Sequence, residues 1–172
     1  MNKIVFISIL GIFLSCTNVS HKLQLNSLFS DNMVLQRKTL VNIWGMGIPY
    51  KKIEIISEWG KKINLNCNHD GSWNGQLETP EAGGPYFIDI ISNKDTLKIN
   101  NVLIGEVWLA SGQSNMEMNL KGYPNEPILN SEIEILNANY PNIRMFTVKK
   151  SISSEPLDTL NGEWVQTSSN YV

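Results

Sequence analysis

Alternation of apolar and polar residues organises much of the chain from residue 23 to 101. Residues 23–29 alternate, and Asp31-Asn32 offers a turn before Met33-Val34-Leu35. Residues 40–44 read as another strand, closed by Gly45 and Gly47. Residues 53–59 and 63–68 flank Gly60-Lys61-Lys62, a hairpin connection. Asp70-Gly71 is a tight-turn dipeptide ahead of Trp73, and residues 80–85, with Gly83-Gly84, read as a loop. Residues 86–91 and 96–99 are strands joined by Ser92-Asn93-Lys94-Asp95. About seven short strands separated by turn signals, with no helical period, predict a small β-sandwich over residues 23–101.

The pattern changes at Val102. Val102-Leu103-Ile104 is a short apolar run ended by Gly105, and Val107-Trp108-Leu109-Ala110 is a second, followed by Ser111-Gly112. The second run is too continuous for a half-exposed strand, so it predicts one buried on both faces, as in a parallel sheet. A helix start follows at 115–120, then a loop at 122–127. Leu129, Ile133, Leu136 and Tyr140 recur at spacings of four, three and four, one apolar face of a helix that Pro141 would stop. Residues 143–148 read as the next strand. Strand, helix, strand predicts a βαβ unit with parallel strands. The expected fold is thus a β-sandwich over 23–101 and the beginning of a parallel-sheet α/β domain over 102–172. Two or three parallel strands with one helix cannot cover both faces of a sheet, so the second unit is expected to be truncated.

Composition narrows the classes. Hydrophobic residues make up 42% and charged residues 17%, which is globular rather than disordered. A net charge of -2 leaves no basic excess for phosphates, which argues against nucleic acid as a partner. Lys3 precedes an apolar run over 4–14, of signal-peptide length and too short to cross a bilayer. Phe13-Leu14-Ser15-Cys16 resembles a bacterial lipobox. On that reading residues 1–16 are a signal peptide, Cys16 carries lipid, 17–22 are a tether, and the protein is exported and anchored to the cell envelope. A plain secretory signal with an incidental cysteine is the alternative. There are two cysteines, so a lipidated Cys16 leaves Cys67 without a disulfide partner, and Cys67 reads as a small core residue. No CxxC or HExxH pattern occurs, so no metal site is expected.

Ser114 is the candidate for chemistry. It follows the run 107–110 and precedes the expected helix, where open α/β sheets place their sites. Its backbone N–H would then lie near a helix N-terminus, favourable to an oxyanion. Gly112 permits close backbone approach. From its position alone Ser114 is a nucleophile or a helix-capping serine.

The stretch Gly105-Glu106-Val107-Trp108-Leu109-Ala110-Ser111-Gly112-Gln113-Ser114-Asn115-Met116 closely resembles the nucleophile segment of sialate O-acetylesterases, in the SGNH hydrolase superfamily. Leu28-Phe29-Ser30-Asp31-Asn32-Met33-Val34-Leu35-Gln36-Arg37 resembles the opening of the same family, and Trp44-Gly45, Gly71-Ser72-Trp73, Asn142-Ile143-Arg144 and Trp164 fall in its order. The resemblance implies an SGNH-like catalytic domain with Ser114 as nucleophile inside Gly112-Gln113-Ser114-Asn115. It further implies removal of O-acetyl groups from sialic acid or other acetylated sugars, with neither metal nor organic cofactor. The family's late Asp-x-x-His pair has no counterpart here. The chain's two histidines, His21 and His69, both precede Ser114, and the only later aspartate is Asp158, which reads as a turn residue. An incomplete enzyme is therefore expected. The alternative is a lipid-anchored β-sandwich that binds glycans without catalysis. Oligomeric state is not legible.

Overall fold

The computed structural model describes residues 22–172, so the signal segment, Cys16 and His21 lie outside the described residues. Eight strands come first: β1 (Gln24–Leu25), β2 (Val34–Gln36), β3 (Leu40–Met46), β4 (Lys52–Ser57), β5 (Lys62–Asn66), β6 (Ser72–Glu78), β7 (Gly83–Ser92) and β8 (Asp95–Gly105). They form two sheets. One has the order β1-β3-β6, and the other β2-β8-β7-β4-β5. All neighbours are antiparallel except β2 and β8, which pair in parallel through Val34–Leu103, Leu35–Ile104 and Gln36–Gly105.

Alternation decides what is buried. Ile53 and Ile55 of β4 and Ile88 and Ile90 of β7 point inward, as do Ile43 of β3 and Trp73 and Leu77 of β6. Residues of both sheets thus join one hydrophobic cluster, which Leu23, Phe29 and Met33 extend at its edge. The turns carry the expected signals. Gly60 between β4 and β5, Gly71 before β6 and Asn93 between β7 and β8 all have left-handed backbones, with φ of 87°, 86° and 55°.

Three local expectations change. Residues 23–29 hold only the two-residue β1, followed by turns. Gly83, Gly84 and Pro85 begin β7 instead of forming a loop. Residues 96–99 and 102–104, read as separate runs, are one strand. The pairing steps from Ile88–Ile99 to Tyr86–Val102, so β8 carries an extra residue opposite β7. Asn101 takes φ 57° there. This bulge resets the alternation, so Ile99, Val102 and Ile104 are all buried.

The remaining elements are α1 (Ser114–Glu117), β9 (Gly122–Tyr123), β10 (Glu126–Pro127), α2 (Ser131–Asn137), β11 (Asn139–Phe146) and β12 (Trp164–Ser168). Strands β9 and β10 pair antiparallel, as do β11 and β12. The expected parallel α/β sheet is therefore not found among the described residues. Residues 107–110 are not a strand, and Trp108 and Leu109 are 87% and 93% exposed. A continuous apolar run becomes a buried strand only where neighbours supply both hydrogen-bonding edges and covering faces, and none does so here. The same holds for the predicted helical face. Ile133 and Leu136 lie on α2, Leu129 and Tyr140 lie outside it, and all four are exposed. The helix ends at Asn137, short of Pro141.

Side chains of this second region grip the first. The Arg144 guanidinium donates to the carbonyls of Asn32 (3.0 Å) and Asn101 (3.2 Å) and to Asn101 Oδ1 (3.2 Å). Trp164 Nε1 donates to the Leu28 carbonyl at 2.8 Å, and its ring packs on Phe146 with centroids 5.3 Å apart.

Candidate active site around Ser114

The segment that carries Ser114 leaves the β-rich region at the end of β8. Its first residues are held firmly. Arg37 N–H donates to the Gly105 carbonyl at 2.9 Å, and Arg37 Nε donates to Glu106 Oε1 at 2.6 Å. Gln36 serves twice, with Nε2 donating to Glu106 Oε2 and Oε1 accepting the Val107 N–H, each at 2.8 Å. The Glu106 carboxyl is held below its usual range by the hydrogen bonds from Gln36 and Arg37. The Arg37 guanidinium is correspondingly raised by Glu106.

Beyond Val107 the chain runs exposed to a single helical turn. Gln113 takes the cap position of α1 with no side-chain cap bond, and Ser114 is the first helical residue. The turn is closed by Met116 N–H to the Gln113 carbonyl and Met118 N–H to the Ser114 carbonyl. Ser114 therefore does not cap this helix, and among the described residues its hydroxyl has no hydrogen-bond partner. One turn adds little macrodipole, so any pull on an oxyanion would come from local N–H groups. Gly112 does not use a left-handed backbone. A Cβ there would lie 2.8 Å from Met116 Cγ, so the glycine lets that side chain fold back over the segment. Asn115 is exposed beside Ser114.

Among the described residues, those able to activate a serine are not gathered here. His69 is exposed in the turn between β5 and β6, next to Asp70. Asp158 acts through its backbone, its carbonyl accepting from Asn26 Nδ2 (2.5 Å) and Trp44 Nε1 (3.2 Å). Neither is hydrogen-bonded to Ser114. The groove lined by Asn32, Trp164, Gln166 and Tyr171 does not include Ser114. Among the described residues no cluster of His, Cys, Asp and Glu could hold a metal, and no helix is long and apolar enough to cross a membrane. Cys67 is buried as a core residue, and that burial pushes its thiol up. Sequence reasoning missed the roles of Gln36, Arg37, Glu106 and Arg144. They lay inside the quoted motifs, but pairing across about seventy residues leaves no local signal.

No family model matches the chain. Among curated proteins it is similar to sialate O-acetylesterases. It is 30% identical over 145 residues to those of Pongo abelii and Homo sapiens, covering 78% of this chain and 27% of each relative. It is 33% identical over 144 residues to that of Mus musculus, covering 77% of this chain and 26% of the relative. Among solved structures it is similar to a carbohydrate acetylesterase from Xanthomonas citri, with a TM-score of 0.79 and 32% identity over 87% of this chain and 33% of that one. The chain thus spans about a quarter of the length of the curated relatives it matches. Over most of its length this strand-rich chain resembles a part of that carbohydrate acetylesterase. In sequence it is a relative of the sialate O-acetylesterases, corresponding to part of their length.

Proposed function

We propose that this chain is the front portion of a serine esterase that removes O-acetyl groups from sialic acid or related acetylated sugars. On this reading the β-sandwich expected over 23–101 would be a support, and the unit expected over 102–172 the beginning of an SGNH-like hydrolase domain. The observation that carries this reading is Ser114 itself. It stands exposed at the start of a helical turn inside Gly112-Gln113-Ser114-Asn115, with an uncommitted hydroxyl, in a chain related to sialate O-acetylesterases. Ser114 Oγ would bond to the acetyl carbonyl carbon while its proton passes to a histidine. The ester C–O bond then breaks, the sugar hydroxyl leaves with that proton, and water releases acetate from the acyl-serine. The Ser114 N–H would supply one oxyanion donor.

No histidine–carboxylate pair is hydrogen-bonded to Ser114 among the described residues, and on this reading the pair comes from outside them. Exposed Val107, Trp108, Leu109, Ile133 and Leu136 fit a sheet and helix that await neighbours. Export and a lipid anchor at Cys16 complete the reading and rest on the pattern of residues 3–16.

Acetate release from O-acetylated sialic acid is the test. The chain alone is expected to show no turnover above its Ser114→Ala variant. Robust Ser114-dependent turnover by the chain alone would overturn the need for outside partners. An Asp-x-x-His pair encoded beyond Val172, with Ser114-dependent activity in that longer protein, is the expected positive result.

A further inference from the structure

The two longest motifs touch at one place, and that contact has a direction. Gln36 and Arg37 end the first motif, and Gly105, Glu106 and Val107 open the second. Four hydrogen bonds join them. The backbone bond from Arg37 to Gly105 continues the parallel β2–β8 pairing one step past its last paired residues. The other three use side chains, and Gln36 commits both ends of its amide. Both oxygens of Glu106 are occupied, so the carboxylate is fixed in orientation as well as position. After Val107, among the described residues, no backbone hydrogen bond holds the chain until the helical turn at Gln113. The contact is therefore the last anchor before Ser114.

We infer that Gln36, Arg37 and Glu106 form a positioning clamp that sets the direction in which the Ser114 segment leaves the β-rich region. This rests on the esterase reading of Ser114 but concerns residues that do not touch substrate. A surface ion pair of this exposure contributes little to global stability. Its value is local, because it fixes the pleat at Glu106 and so the side to which Val107 and Trp108 turn. Arg37 also meets Glu81 at 3.5 Å, and Lys38 pairs with Glu81 as well. Glu81 competes for Arg37, but only Glu106 receives Nε at 2.6 Å. Lysine cannot replace that geometry, because its single ammonium lacks the planar guanidinium donors.

Hydrogen exchange followed by mass spectrometry tests the clamp on the intact chain, at neutral pH, with Arg37→Ala, Glu106→Ala and the exchanged pair Arg37→Glu/Glu106→Arg. In both single variants, exchange is expected to rise about tenfold in peptides over 105–108 and stay unchanged over β4 to β7, with an unaltered urea midpoint. The exchanged pair should recover most of the protection. Lowering pH through the depressed Glu106 range should loosen the same peptide in the parent chain and not in Glu106→Ala. Unchanged exchange at 105–108, or a rise spread over the whole chain with a lowered midpoint, would overturn the clamp. Because acetate is not the readout, failure here leaves the esterase reading standing, and a failed esterase assay leaves the clamp standing.

Discussion

Gly45 shows how a single residue ties sequence to packing. It stands in Trp44-Gly45 on β3, opposite Trp73 of β6. A Cβ at this position would collide with the Gln24 carbonyl of β1 and come within 2.7 Å of Trp73 Cζ2. Trp73 is 2% exposed and cannot swing away, and Gln24 is held by its pairing across to Met46. The glycine is thus a matter of space, since its φ is not left-handed. Gly45→Ala is expected to destabilise the protein by about 1–3 kcal/mol, as overpacking of a tight core does. Urea denaturation followed by tryptophan fluorescence measures it, and an unchanged midpoint would show that β1 can shift at no cost. The neighbouring Trp44 ring meets Phe29 edge-on with centroids 4.6 Å apart, so the same dipeptide also seats the first motif.

At the scale of elements, the turns were more legible than the strands they join. Asp70-Gly71 was readable because its chemistry is local. Asp70 Oδ1 accepts from both Ser72 N–H (2.9 Å) and Ser72 Oγ (2.7 Å), and Gly71 takes the left-handed conformation. These bonds, the Ser72 hydroxyl first, lower the Asp70 carboxyl below its usual range. A depressed carboxylate stabilises the fold above the ordinary aspartate range and loses that contribution as pH falls through the lowered value. Ser72→Ala should therefore move the Asp70 titration upward, toward the ordinary range. Carboxyl chemical shifts followed through a pH titration would show it, and an unmoved titration would mean the backbone N–H alone sets the carboxylate. The bulge at Asn101 was illegible for the opposite reason. It changes the phase of alternation inside β8, so one strand reads as two in the sequence. The antiparallel β11–β12 pairing was equally hidden, because a long loop separates the two strands and nothing local marks their register. The apolar run at 107–110 and the apolar period across α2 are real, but such patterns report what a segment could bury, not whether neighbours are there to bury it. Ser114 is singled out by its motif alone, whereas the contacts of Gln36, Arg37 and Glu106 leave no local mark in the sequence.

For the whole molecule, the question is what holds residues 106–172 to the β-rich region when so much of their apolar surface is exposed. Hydrogen bonds at two points carry it. One is the Glu106 contact, and the other is the site where β11, β12 and the loop before β12 meet residues 26–32, Trp44 and Asn101. There Asn26 and Trp44 reach the Asp158 carbonyl, Ser27 Oγ donates to the Leu160 carbonyl, and Trp164 donates to Leu28. Arg144 is the centre of this second point, with three donations to Asn32 and Asn101 and a fourth, from Nε, to Pro141 at 2.8 Å. Asn32 and Asn101 both have left-handed backbones, which turn their carbonyls toward the guanidinium, and Asn101 Nδ2 donates to Asn32 Oδ1 at 2.7 Å. Burial lowers the Arg144 pKa, but arginine remains charged at any pH a folded protein meets. Two effects oppose each other when it is removed. A neutral side chain escapes the cost of desolvating a cation, yet it leaves several acceptors without a donor. The acceptors decide the outcome, since they are oriented by strained asparagines that do not relax freely. Arg144→Met is expected to cost about 1–3 kcal/mol. Arg144→Lys should lie between it and the parent, because one ammonium cannot reach both carbonyls and Pro141. Hydrogen exchange adds the location to the magnitude. Protection should fall over β11 and β12 while β4 and β7, whose isoleucines are buried independently of Arg144, keep theirs. If Arg144→Met instead left β11 and β12 fully protected, the bonds of Asn26, Ser27 and Trp44 to the 158–160 carbonyls, the Trp164–Leu28 bond and the packing of Trp164 against the core would suffice to hold the two regions together.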